Sequence, residues 1–239
     1  MTPEDVCASL VHPHKPPPPA PGNLPPDKAD DILANISASY FMLRRGMALL
    51  AFAFPVALWI IGGADSVQGS LSAYYHSDGG GPTRDVFVGV LWAIGAFLLL
   101  YRGYSTAEDW ALNGAGLAAV AVALAPMDWP PGARDTPVGL VHNAAAITFF
   151  LLIAYVPLFR SGDTLALMRD QARAAAFRRT YRLLGLLMVL LPLTVLGVHL
   201  LLPRREDPPF LFFVEAAGVY VFAAFWLVKS REIAVLERQ

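Results

Sequence analysis

Apolar residues in this chain gather in long unbroken runs, neither alternating as on a half-buried strand nor confined to one stripe as on a surface helix. The runs lie near Gly46 to Ala64, Asp85 to Tyr101, Asp109 to Ala125, Val138 to Phe159, Leu183 to Leu202 and Phe210 to Val228. Each approaches the roughly 20 residues that a helix needs to cross hydrocarbon. Between them stand short polar breaks: Gly62-Gly63 with Asp65, Arg102-Gly103, the Met127 to Pro137 stretch, and Pro203 to Pro209. Glycine and proline punctuate chains at such turns. The pattern predicts an all-α integral membrane protein, a bundle of about six transmembrane helices over residues 28–239. Gly162 to Arg182 reads differently, because Arg169, Arg173, Arg178, Arg179 and Arg182 lie among alanines. It is expected to be an interfacial basic helix rather than part of a span.

Composition narrows the class. Of 239 residues, 56% are hydrophobic and 15% charged, against about 25% charged in soluble domains. Cys7 is the only cysteine, so no internal disulfide is possible, and a net charge of -1 gives no basic surface for nucleic acid. Membrane lipids are the expected partners, with a protein partner or a second copy as further possibilities. Residues 1–27 carry His12, His14 and the Pro16 to Pro19 run, and are expected to form a disordered proline-rich tail. No basic segment followed by an apolar stretch stands at Met1, so no cleavable signal peptide is expected.

The basic residues set an orientation. Arg44, Arg45, Arg102, Arg160, the Arg169 to Arg182 cluster, Lys229, Arg231 and Arg238 fall on one side of the alternation. The positive-inside rule makes that side cytoplasmic, with both termini, in an inner (cytoplasmic) membrane. The outer, periplasmic face then carries His76, Asp85, Asp128 and His142.

Ionisable groups in apolar runs are costly and need a partner, water or a function. Glu215 follows Phe210-Leu211-Phe212-Phe213-Val214, His142 opens the fourth run, and His199 lies late in the fifth. Before the second run stands Ser70-Leu71-Ser72-Ala73-Tyr74-Tyr75-His76, then a glycine turn and Arg84-Asp85. In a helix Ser72 and His76 share a face, and the turn lets Asp85 approach His76. Two histidines and two carboxylates on one face, His76, Asp85, His142 and Glu215, are a ligand set for zinc. Zinc would activate water for ester or amide hydrolysis, with Ser72 orienting that water. Ser72, His76, Asp85 and Glu215 are thus the candidate catalytic residues. A Ser-His-Asp triad is a second reading of the same residues. Asp85 also suits the first turn of a helix on dipole grounds alone.

The stretch Ser70 to His76, with Arg84-Asp85-Val86-Phe87-Val88-Gly89, Tyr101-Arg102-Gly103-Tyr104, Glu108-Asp109 and Leu112-Asn113, resembles an uncharacterised bacterial family of multi-pass membrane proteins, a domain of unknown function. More distantly, Ser72-x-x-x-His76 followed by Asp85 is similar to the pattern of the alkaline ceramidase and adiponectin receptor superfamily. That resemblance implies a zinc-dependent membrane hydrolase. The superfamily carries an H-x-x-x-H pair in its last helix, where this chain offers Glu215 instead, so His142 or His199 would have to complete the set.

A second cluster, Tyr101, Arg102, Tyr104, Glu108, Asp109 and Asn113, lies on the inner face. It is expected to anchor helices at the headgroup level, with lipid headgroup recognition as the alternative. Gly114, Ala115, Gly116, Ala118 and Ala119 predict close helix packing in the third run. Two classes of function follow: a metal-dependent hydrolase of a lipid-like amide or ester with its site at the outer end, or a non-enzymatic protein binding a lipid or partner subunit. A b-type haem protein using His142 and His199, and a transporter, rank behind them.

Overall fold

The computed structural model describes residues 26–65, 67–130, 133–201 and 209–238. The tail expected over residues 1–27 lies almost wholly outside them. Six long helices account for most of the described chain: α1 Pro26–Ile61, α2 Pro82–Leu100, α3 Thr106–Leu124, α4 Pro137–Tyr155, α5 Gln171–Leu201 and α6 Phe210–Leu236. No strand occurs among the described residues. The chain divides into two compact units, Met1–Ser39 and Tyr40–Gln239; the core and both polar clusters belong to the second.

Three helices extend beyond their apolar runs. α1 begins at Pro26 rather than near Gly46, because no glycine or proline stands between Lys28 and Arg45 to stop a helix there. α5 takes in Gln171 to Arg182, so the expected separate basic helix is continuous with the span. No breaker separates Arg182 from Leu183, and Ala, Arg and Leu all favour helix. α6 runs on to Leu236 through a charged last segment. α4 instead stops early: its end passes into a π turn at Val156–Arg160, where Pro157 brings no N–H to the helical ladder.

Caps fix where α3 and α4 start. Ser105 accepts a hydrogen bond from the Glu108 N–H at 3.3 Å, while the Glu108 carboxylate accepts from the Tyr104 N–H at 3.0 Å. This is a capping-box arrangement shifted by one residue. At α4, the Thr136 hydroxyl accepts from the Gly139 N–H at 3.0 Å and donates to Asp128 at 2.6 Å. Gly139 is required there, since a Cβ would fall within 2.1 Å of the Asp128 carboxylate.

α3 packs between α2 and α4. Small residues let α2 and α3 approach, as expected from the third run: a Cβ on Gly116 would lie 2.8 Å from the Gly95 carbonyl, and one on Gly95 2.9 Å from that of Gly116. Ala111, Leu112, Ala115, Ala118 and Ala119 are buried along the same helix. The main core joins Met47, Leu98, Leu112, Ile153, Met188, Phe222 and Trp226, and a smaller one joins Phe54, Leu58, Tyr74, Phe87 and Phe212.

Five helices are long and apolar enough to cross a membrane: α1, α2, α4, α5 and α6. α3 is as long as α2 at 19 residues, but Glu108, Asp109 and Asn113 dilute it. Many large apolar side chains point outward, among them Leu49, Phe52, Leu100, Leu140, Leu186, Leu190 and Phe213.

Candidate functional site

The antiparallel succession of helices collects polar side chains at two ends of the second unit. At the end formed by the Gly62 to Gly81 connection, the α3–α4 connection and the start of α6, the sequence-predicted residues meet, in a different arrangement from the one expected. Ser72, in a 3₁₀ turn over Ser72–Tyr75, lies with its Oγ 3.0 Å from His142 Nε2. The other ring nitrogen, Nδ1, is 2.7 Å from the Ala125 carbonyl. A carbonyl can only accept, so Nδ1 carries the proton and neutral Nε2 accepts from the Ser72 hydroxyl. His142 is 4% exposed, and its position follows from the Thr136 cap, held by Asp128, six residues before it at the start of α4.

His76 joins the same end but not the same contact. Its Nε2 bonds the Met127 carbonyl at 3.0 Å, and its ring stacks on Trp129 at 5.3 Å and 12°. Glu215 accepts from the Leu71 N–H at 2.7 Å, which ties α6 to the connection one residue before Ser72. Asp85 is exposed in the first turn of α2, the position that the helix dipole favours. The expected ligand set does not assemble in this arrangement: among the described residues no group of three or more His, Cys, Asp or Glu is placed to share a metal ion. Both nitrogens of His142, Nε2 of His76 and one oxygen of Glu215 already hold hydrogen bonds. The side chain of His199, the second haem candidate, lies outside the described residues.

Around these groups the wall is aromatic. Tyr74, fully buried against Phe212, closes over Gly62, where a Cβ would fall 2.6 Å from its ring. Burial pushes the Tyr74 phenol above its usual range, only partly offset by the Gln68 N–H.

The opposite end holds a second, more deeply buried cluster. Arg44 is 1% exposed and donates to the Tyr101 and Tyr104 hydroxyls at 3.2 and 3.4 Å. Lys229 donates to Thr164 Oγ1 at 2.8 Å and to Glu232 at 3.1 Å, and lies over the Tyr104 ring. The Tyr181 hydroxyl closes the network with a short bond to Glu232. Arg102 and the Gly103 N–H bond Asp109, while Arg160 bonds Ser105 and Asp163. Desolvation holds the Tyr101 phenol well above its ordinary value and raises that of Tyr104.

Arg44, Tyr181, Lys229 and Glu232 escaped the reading of the sequence as members of this cluster. The available signal was Lys229 and Glu232 three apart at the end of an apolar run, a spacing that pairs charges on one helix face. Arg44 and Tyr181 carried no local signal, since only packing brings α1 and α5 to α6.

Comparisons with protein-family models, curated proteins and solved structures find no match to this chain. Functional argument therefore rests on the two clusters themselves.

Proposed function

We propose that this chain is a multi-pass integral membrane protein with six spans, and that the Ser72–His142 pair at its outer end hydrolyses a lipid-like ester or amide. Exposed leucine and phenylalanine along five long helices support embedding, since such surfaces are stable in lipid and aggregate in water. α3 serves as the sixth span because its neighbours shield it, so its acidic first turn and small residues meet protein rather than lipid.

The observation that carries the hydrolase reading is the 3.0 Å contact of Ser72 Oγ with a His142 whose other nitrogen is fixed on a carbonyl. A base within hydrogen-bond reach of a hydroxyl, itself oriented by a third group, is the arrangement of nucleophilic catalysis. In the forward step Ser72 Oγ bonds the substrate carbonyl carbon as its proton passes to His142 Nε2. The Ala125 carbonyl holds the imidazolium through Nδ1–H. That ring then protonates the leaving alcohol or amine as the bond to it breaks. Water, deprotonated by the same nitrogen, releases the acid and restores Ser72. No step is routed through zinc, because the donors do not converge. The distant likeness to the alkaline ceramidase superfamily enters this reading only for its substrate class.

A second reading is favoured by the same bonds. His76, His142 and Glu215 each engage backbone atoms of the connections, which is how a clamp would close the end of a bundle without chemistry. A fluorophosphonate probe, applied to purified protein in detergent, separates the two. Labelling that is lost in Ser72→Ala and strongly reduced in His142→Gln supports the hydrolase. Absence of labelling, with Ser72→Ala less stable by about 1–3 kcal/mol as a buried acceptor is orphaned, supports the clamp. Stoichiometric zinc surviving purification would return the metal to the site.

A further inference from the structure

The N-terminal half of α5 exposes a groove of about 310 Å³ lined by Gln171, Ala174, Ala175, Arg178, Arg179 and Arg182. These positions recur at intervals of three and four residues and so fall on one helix face. Alanines floor the groove and three exposed arginine side chains border it. Arg173 lies on the other side of the helix and pairs with Asp170 at 3.3 Å. The three groove arginines have no carboxylate partner among the described ion pairs.

One to three turns further along, the same side of the helix continues as exposed Leu186, Leu190 and Leu193. By the 100° per residue of an α-helix, Leu186 and Leu193 project within the sector spanned by Arg178, Arg179 and Arg182. A track with a guanidinium cluster at one end and an apolar strip along the helix axis matches one ligand chemistry, an anionic headgroup joined to an acyl chain. Guanidinium groups suit phosphate because their planar fork meets two oxygens at once.

We propose that this groove is a binding site for an anionic glycerophospholipid of the inner leaflet, its phosphate held by Arg178, Arg179 and Arg182 and one acyl chain lying along Leu186, Leu190 and Leu193. The proposal rests on the membrane reading above and is independent of the Ser72–His142 chemistry. Exposed Ala175 keeps the groove open: a larger side chain there would fill the space that the headgroup would take.

Native mass spectrometry of the full chain in detergent, with phosphatidylglycerol or phosphatidylcholine added, tests it. The unaltered protein is expected to retain phosphatidylglycerol in preference to phosphatidylcholine. At the fivefold per basic residue that corresponds to about 1 kcal/mol at an anionic surface, Arg178→Gln/Arg182→Gln should weaken that preference by about 25-fold. Arg231→Gln/Arg238→Gln removes two exposed charges from the same inferred face without touching the groove, and should leave it within about twofold. Ala175→Leu should lower phosphatidylglycerol retention several-fold with no change of charge. Equal losses in the two arginine doubles would show a diffuse basic surface and overturn the site. Retention of free glycerol phosphate as tight as that of the lipid would overturn the lipid as occupant. A chain that stays monodisperse without detergent would instead refute the membrane reading, which keeps the two failures apart.

Discussion

Lys229→Met is the sharpest perturbation of the buried inner cluster. The Lys229 and Glu232 side chains are 4% and 0% exposed, so removal of the ammonium leaves a carboxylate with no water to turn to. Glu232 keeps the Tyr181 hydroxyl on one oxygen, while its Oε1 already has no partner. Breaking a buried pair on one side costs about 3–5 kcal/mol, or roughly 6–20 °C in Tm at the 2–4 °C per kcal/mol of chains this size. Lys229→Met/Glu232→Gln removes both charges yet keeps an acceptor for Tyr181. It should therefore recover at least about half of the loss, the remainder coming from Thr164 and from Glu108, which feels the Lys229 charge. Thermal unfolding of the two variants in one detergent reads the difference. A double variant as unstable as Lys229→Met, or a single variant costing under about 1 kcal/mol, would refute the claim that paired charge rather than packing holds this end together.

Gly116→Leu should destabilise by more than the about 1–3 kcal/mol of ordinary overpacking, because the nearest atom is backbone carbonyl rather than a movable side chain; Gly89→Leu, where a Cβ meets nothing within 4 Å, is the control in the same unfolding assay. Phenols of Tyr74, Tyr101 and Tyr104 are raised in the folded chain, so the folded state keeps protons that the unfolded state loses above about pH 10. Their stabilisation is full below that pH and is lost as pH rises beyond it, and Tyr74→Phe should flatten the alkaline limb of a stability-against-pH curve. Reporter fusions after Gly80 and after Arg173 should report opposite sides of the membrane; the same side for both would sink the six-span topology.

What the sequence determined by itself is whatever depends on local pattern. Uninterrupted apolar runs are enough to define helices and their approximate centres, since a span must satisfy its backbone within itself. Glycine and proline marked the connections for the same local reason, whereas the Ser105 and Thr136 caps, equally local bonds to the backbone, were found only in the structure. The small residues of α3 foretold close helix packing, although not that α2, through Gly95, would be the partner. Helix ends were less legible, because Gln171 to Arg182 and the last turns of α6 are polar yet fully helix-competent.

Pairing between distant residues was decided by tertiary structure alone. Ser72, His76, His142 and Glu215 were all identifiable as costly polar residues at one end of the bundle, but which would touch depends on angstrom-scale placement of helix starts. The Asp128–Thr136 cap sets α4 so that His142 reaches Ser72, whereas a shift of one residue, about 100° around the helix, would have aimed it elsewhere. Asp85 was lost to the site by the same arithmetic. At the other end, Arg44, Tyr181 and Glu232 lie far apart in sequence, and an isolated charge near the end of an apolar run reads as a headgroup anchor until packing surrounds it. Burial is a property of neighbours, and these neighbours come from other helices.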